Sequence, residues 1–491
     1  MRRLLLFLPL LPLLLSACAT SAPDTDVARI DRFVQRAMKE FPEVPSLGLA
    51  VVRDGKTILT RGYGYRDVER QLPATEDTVY YIASSTKSYL GLLTSILATR
   101  SVVDLDAPVR RYLTEVKFDP SVKADKVTLR TLLTHTSGIE NGGMVMRTAF
   151  TGEQDSKQLA AILSRSKAVE PVFNYDNLGY VVVGLVLERV TGKPWQELLA
   201  TELFAPLGMT HTTAYISRAA GWPLAKPYDV GDDLRVQPIS FVKIDNTMHA
   251  AGGLVTTPRD LAKWLELNVN GHRAVDAKAL AEAHEAHVKQ LDTNWYRFKR
   301  QGYGFGWYHS DYEGTLLMHH FGGYEGWRTH VSFMPAQRHG VAALVNTGGP
   351  GAPVRDLIAA YIYDVLLDKP GIDEAYTAHL AKMRASENQK LEAIRADVAA
   401  RAQRSPTLLR PQPAYAGAYA NDDFGTLRIR TEGRTLRATL GQLDGALEPY
   451  TEPETARVEL VPGQGEVLRF QFEGERVTGV KWRDHLFVRV E

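Results

Sequence analysis

The chain is poor in several things that usually announce a function. It has one cysteine, Cys18, in 491 residues, so no intrachain disulfide is available and stability has to come from packing. It has almost no net charge, +1 from 58 Lys and Arg against 57 Asp and Glu, so no nucleic acid or acidic partner is expected. Its opening apolar run, Leu4 to Leu15, is too short to span a bilayer as a stable helix. The Gly-x-Ser-x-Gly elbow of Ser-His-Asp hydrolases is absent. So is the His-Glu-x-x-His spacing of a zinc helix: His284-Glu285-Ala286-His287 is one residue too short and reads as a solvated helical face. No metal or cofactor is expected.

What is present is a soluble, multi-domain composition, 44% hydrophobic and 23% charged, in a chain too long for one core and suited to two or three domains. Arg2 and Arg3 followed by Leu4 to Leu15 read as a targeting segment. The ending Leu15-Ser16-Ala17-Cys18 resembles a bacterial lipoprotein signal. That resemblance implies a signal peptide over 1–17, cleavage before Cys18, lipid on its sulfur and a membrane anchor. Ala19 stands where an aspartate would resemble an inner-membrane retention signal. The expected location is therefore the periplasmic face of the outer membrane of a Gram-negative bacterium. Residues 18–27 are small and polar and read as a tether.

Ile30, Phe33, Val34 and Met38 fall at helical spacing, and Asp54-Gly55 between two apolar runs predicts a hairpin. Val181 to Val190 and Val354 to Leu367 read as apolar helices, and His330 to Met334 and Val341 to Asn346 as two strands joined by a tight turn. Gly142-Gly143 opens a stretch that reads as a mobile lid. Between Gly371 and Pro406 there is neither Pro nor Gly, and the Ala-, Glu-, Lys- and Arg-rich composition predicts an exposed helical connector over 369–405. From 406 to 491, short alternating runs predict a small antiparallel β-barrel or sheet.

The chemistry centres on Tyr81-Ile82-Ala83-Ser84-Ser85-Thr86-Lys87. Ser84 and Lys87 share one face of a helix whose following turns are apolar. A serine there sits among free backbone N–H groups, and a desolvated lysine beside it loses its proton near neutrality and serves as a base. Tyr175 and Asn177, two apart in a loop, can point into one cleft. A tyrosine near a lysine cation is expected to have a lowered pKa, and an asparagine offers both donor and acceptor to an amide or ester. In His320-Phe321-Gly322-Gly323, glycines along a strand edge would leave backbone N–H groups facing the cleft, as an oxyanion hole requires. Each pattern alone is weak. Ser164-x-x-Lys167 and Tyr419-x-Asn421 are second copies, the first without a buried helix after it. His135 reads as a helix-end residue bonded to backbone. The aromatic, glycine-rich Trp295 to Trp307 reads as a pocket wall.

Taken in order, Ser84-Ser85-Thr86-Lys87, Leu132-Leu133-Thr134-His135-Thr136-Ser137-Gly138, Tyr175-Asp176-Asn177, Ala251-Gly252-Gly253-Leu254 and His320-Phe321-Gly322 resemble the serine β-lactamase and penicillin-binding protein superfamily. They are closest to its class C, D-aminopeptidase and carboxylesterase branch. The resemblance covers roughly 28–368 and implies an α+β fold: an antiparallel sheet flanked by helices, with a helical subdomain. It implies that Ser84 attacks a carbonyl to form an acyl-enzyme and that Lys87 and Tyr175 handle the proton, which of them is the base being left open. It further implies that Asn177 holds the substrate amide or the lysine, and that His320, Gly322 and Gly323 line the substrate and oxyanion site together with the Ser84 N–H. The C-terminal sheet resembles lipocalin-like domains appended to such hydrolases. Where lactamases carry Lys-Thr-Gly, this chain has His320-Phe321-Gly322. Loss of that cation and hydroxyl shifts the expectation to small esters or D-amino-acid peptides and amides, with weak or absent β-lactamase activity. The alternatives are a periplasmic DD-peptidase or β-lactamase acting on peptidoglycan or β-lactams, and a non-catalytic binding or sensor lipoprotein. Natural substrate and oligomeric state are not legible.

Overall fold

The computed structural model describes residues 25–151, 156–240 and 243–491. The signal peptide, Cys18 and most of the tether lie outside the described residues. In chain order the elements that position the site are α1 (Asp26–Glu40), β1 (Ser46–Arg53), β2 (Lys56–Asp67), β3 (Leu72–Pro73), α2 (Thr86–Thr99) and α3 (Leu178–Thr191). Next come β4 (Val288–Trp295), β5 (Phe298–Tyr303), β6 (Tyr308–Tyr312), β7 (Thr315–Tyr324), β8 (Trp327–Met334), β9 (His339–Val345) and α4 (Gly351–Leu366). A 31-residue helix, α5 (Ile372–Ala402), then leads to eight strands running from β10 (Gly417–Asn421) to β17 (His485–Arg489).

Among the described residues, nine strands form one sheet in the order β4-β5-β6-β7-β8-β9-β1-β2-β3. The β1–β2 hairpin turns at Asp54 and Gly55, both at positive φ (52° and 76°), the backbone that an Asp-Gly pair tolerates and a two-residue hairpin needs. β1 and β9 are buried along their length, and they pair antiparallel from Leu47↔Val345 to Val52↔Gly340. Apolar side chains on both faces are what a central strand covered on both sides requires. Leu47, Leu49 and Val51 pack toward α1 and α4; Ala50 and Val52 pack toward the helical subdomain. In that subdomain α2 is buried from Thr86 to Leu97 and α3 from Leu178 to Leu187, so the helix carrying Lys87 has no solvated face.

The α+β class and the C-terminal β domain are as expected. The eight C-terminal strands close into an antiparallel barrel filled by Leu427, Val458, Trp482 and Phe487. Its strands Gly417–Asn421 and Leu443–Pro449 escape the sequence pattern, because Gly, Ala, Asn, Asp and Glu blur the alternation.

Two expectations are corrected. The Gly142-Gly143 stretch is not a free lid. It forms a helical turn, Gly142–Met146, capped by Asn141, and the barrel clamps it. Arg147 donates from Nε to Asp423 O (2.6 Å) and from Nη2 to Asp422 O (2.8 Å), and Arg165 Nε donates to Asp423 Oδ1 (2.6 Å). The His284–His287 stretch is not a solvated face either. The His284 ring bonds Asn268 Oδ1 (2.8 Å) and packs on Trp307 and Phe333, while His287 stacks on Phe305. Sequence periodicity does not reveal the distant aromatic residues that cover it.

Candidate active site

Ser84 lies in a tight turn, Ala83–Ser85, ahead of α2. Ala83 is held at φ 43°, a conformation costly for a residue with a Cβ and sustained by its surroundings. Those surroundings are explicit. Ser85 Oγ donates to His320 O (3.2 Å) and meets Thr329 Oγ1 (3.0 Å), while Thr329 Oγ1 also reaches Ile82 O (3.2 Å). Leu254 N–H donates to Thr86 Oγ1 (3.1 Å). Two sheet strands and the Ala251–Leu254 turn therefore fix the serine turn from both sides.

Lys87 is fully buried, and Ser84 is 9% exposed, which leaves the hydroxyl reachable. Lys87 Nζ lies 3.2 Å from Ser84 Oγ, 2.7 Å from Asn177 Oδ1 and 2.9 Å from Ala251 O. Burial pushes its pKa down to about 7, against a smaller upward pull from Asp176. At neutral pH a large fraction is neutral amine, with a lone pair for the serine proton.

Tyr175 lies with its ring centroid 5.0 Å from Lys87 Nζ, beside Ser84. Its phenol is shifted opposite to the sequence expectation: burial around the hydroxyl pushes the pKa well up, and the neighbouring Ser84 hydroxyl offsets only part of this. Proximity to the amine does not lower it because that amine is itself desolvated and half neutral. The outer edge of the ring, 37% exposed, forms the mouth of the cleft.

His320, Gly322 and Gly323 lie on β7. β6 pairs only with Thr315 to His319, so from His320 onward one edge of β7 is unpaired and faces the serine turn. Gly322 is there for space: a Cβ would meet Ile82 O at 2.1 Å and Thr329 Oγ1 at 2.3 Å. Its carbonyl is held from behind by the buried Arg355, whose Nη1 donates to Gly322 O (3.0 Å) and whose Nε pairs with Asp356 (3.1 Å). Gly323 has room, the nearest atom to a built Cβ being Arg328 Cδ at 3.8 Å. His320 spends both ring nitrogens inside the protein, on Phe321 O (2.8 Å) and Tyr303 Oη (3.3 Å). Burial and the nearby Lys87 hold it uncharged.

The two decoys stand elsewhere: Lys167 pairs with Asp119 at the surface, and Tyr419 donates to Tyr415 O inside the barrel. Sequence reasoning missed Arg300. Its guanidinium lies 3.8 Å from the centroid of Tyr308, whose ring is 6.3 Å from that of Tyr175. Its Nε is buried without an acceptor, and no ion pair to it is formed among the described residues. The signal available was a basic residue inside the aromatic 295–307 stretch. A cavity of about 860 Å3 between Gln237, Leu391 and Arg457 contains none of these groups.

The family model described as Beta-lactamase matches residues 34–363. The chain belongs to the beta-lactamase family. Members of this family are serine hydrolases, and the match contains the serine turn, α2, α3 and β7. Unguisins hydrolase ungD of Aspergillus violaceofuscus is 25% identical over 454 residues, spanning 83% of this chain and 78% of its own. The octameric penicillin-binding protein homologue of Pyrococcus abyssi superposes with a TM-score of 0.61 at 23% identity, covering 95% of this chain and all of its own. The D-amino acid amidase of Ochrobactrum anthropi superposes at 0.57 and 24% identity over 69% of this chain and 98% of its own. Both show the fold.

Proposed function

We propose that this beta-lactamase-family protein hydrolyses small esters or D-amino-acid amides through an acyl-enzyme on Ser84. The observation that carries the reading is the buried Lys87 amine 3.2 Å from Ser84 Oγ, with its pKa brought to about 7. Neutral Lys87 takes the hydroxyl proton as Ser84 Oγ attacks the carbonyl carbon. The oxyanion is received by the N–H groups of Ser84 and Gly323 at the free edge of β7. As the tetrahedral intermediate collapses, the proton passes from Lys87, by way of the Tyr175 hydroxyl, to the leaving alcohol or amine. Water then attacks the acyl-serine by the same route in reverse. Asn177 Oδ1 holds the lysine in place. The raised phenol pKa supports a role for Tyr175 in passing a proton rather than starting as phenolate.

β-Lactams are poor candidates on this reading. Phe321 brings no hydroxyl, and His320, uncharged and fully bonded, brings no cation. The amidase likeness supports the amide class, and the hydrolase relative supports hydrolysis. The test is intact mass of a form starting after Cys18, incubated with p-nitrophenyl acetate, D-phenylalanine amide and a penicillin beside Ser84→Ala. Turnover of the first two that vanishes in Ser84→Ala supports the reading; unchanged turnover in Ser84→Ala overturns it.

A second reading, a peptidase for substrates ending in a free carboxylate, is favoured by Arg300, a cation near the cleft without an acidic partner among the described residues. A D-alanyl-D-alanine peptide cleaved faster than its amide would bring it forward. Export and anchoring through Cys18 remain part of the proposal, and Cys18→Ser should move the protein from the membrane to the soluble fraction.

A further inference from the structure

His135 brackets the catalytic tyrosine. Its carbonyl accepts from Asn174 N–H (2.9 Å) and its Nδ1 accepts from Asp176 N–H (3.3 Å), so the residues on either side of Tyr175 hang from one histidine. The His135 ring lies 4.6 Å from the Tyr175 ring. The residue holds φ at 58°, a strained setting for a residue with a Cβ. On its far side His135 Nε2 meets Tyr303 Oη at 3.2 Å, and Tyr303 Oη meets His320 Nε2 at 3.3 Å. His320 Nδ1 then meets Phe321 O at 2.8 Å. Tyr303, His135 and His320 are 0%, 5% and 2% exposed.

The two ends of this chain fix its direction. A backbone N–H only donates, so His135 Nδ1 accepts and its proton sits on Nε2. A carbonyl only accepts, so the His320 proton sits on Nδ1. Between them one hydroxyl serves both rings: His135 Nε2–H donates to Tyr303 Oη, and Tyr303 O–H donates to His320 Nε2. A proton added to His135 Nδ1 would set it against the Asp176 N–H, and one added to His320 Nε2 would displace the Tyr303 O–H from the bond it donates.

We infer that Tyr303 is a positioning residue for the proposed reaction: through its hydroxyl it fixes the opposite tautomers of His135 and His320 and thereby ties the Tyr175 loop to β7. This rests on the reading of Ser84 and Tyr175 given above. Tyr303 touches neither the serine nor the space before it; it acts through His135, which holds the loop that carries Tyr175 beside Lys87. The same chain removes His320 from direct substrate contact.

Tyr303→Phe keeps the ring that packs on His135, Phe173 and Tyr308 and deletes only the shared hydroxyl. With p-nitrophenyl acetate, kcat is expected to fall about 10- to 100-fold, the scale of a displaced catalytic group, with KM within about 2-fold. An unchanged kcat, or a fall matched by a rise in KM, would overturn the assignment. A second measurement needs neither activity nor a variant. Imidazole 15N spectra of the resting wild-type protein should show His135 protonated on Nε2 and His320 on Nδ1. The same tautomer on both, or a doubly protonated ring at neutral pH, would overturn it. If Ser84→Ala retained activity, the reading of the reaction would fail while the tautomer pattern could still be found, so the two failures are distinguishable.

Discussion

Two Ser-x-x-Lys segments in this molecule differ in almost nothing but their surroundings. Ser84 and Lys87 sit where a strained turn enters a buried helix, and the lysine, with none of its surface exposed, meets a hydroxyl, an amide oxygen and a carbonyl. Ser164 and Lys167 sit where a helix ends. Ser164 Oγ donates to Ala160 O (3.2 Å), and Lys167, 67% exposed, pairs with Asp119 at 3.4 Å. The same spacing is chemistry in one place and surface in the other. Desolvation makes the difference: burial brings the first amine to about 7, whereas the second lysine lies in solvent.

The strongest way to break this comparison is to exchange the serines. Ser84→Ala is expected to lower kcat/KM at least about 1000-fold, and Ser164→Ala to leave it within about 2-fold; comparable losses from the two would refute the distinction. Lys87→Met follows, with a loss of similar order. Its linkage signature sharpens the argument. A lysine whose folded pKa lies near 7 and whose unfolded pKa is the ordinary value near 10.4 binds fewer protons when folded over that window. Its burial therefore costs stability increasingly as pH falls from about 10 to about 7. At pH 7 Lys87→Met should melt higher, by about 2–4 °C, while being inactive, and the gain should shrink toward pH 10. In the wild type, acylation should fall about tenfold per unit below pH 7, as the amine takes up its proton; a rate flat down to pH 5 would remove Lys87 as base.

The neighbouring glycines offer a smaller contrast of the same kind. Gly322→Ala forces a Cβ onto Ile82 O and should cost about 2–4 kcal/mol with loss of activity, read by thermal melting and ester turnover. Gly323→Ala, with ordinary space around it, should cost less than about 1 kcal/mol. The smallest effect is expected at the barrel clamp. The Arg165–Asp423 pair is about 40% exposed on both sides, so Asp423→Ala should cost less than about 1 kcal/mol and leave ester hydrolysis unchanged.

Much of the molecule is legible in the chain as written. Periodicity marks α1, the β1–β2 hairpin, α3 and α4, because burying one face or two leaves a pattern of period 3.6 or 2, or a continuous apolar run. The absence of Pro and Gly marks α5. The ordered motifs name Ser84, Lys87, Tyr175, Asn177 and His320 and rank their second copies below them, since the family resemblance depends on order as well as spacing. Other features are invisible at that level. Arg300 reaches the cleft, and Tyr303 the histidines behind it, from a hairpin more than 100 residues beyond Tyr175, and nothing local marks a side chain whose partners are distant. The expectation for Tyr175 came out with the wrong sign because a charge neighbour can be guessed from sequence, whereas the loss of water around a hydroxyl cannot. Residue order thus specifies which groups are available and which elements carry them. Whether an amine is neutral, whether a histidine is spent on its neighbours, and whether a glycine is needed for space depend on packing between segments far apart in the chain, because desolvation and close contact are set by the atoms that surround a group in three dimensions.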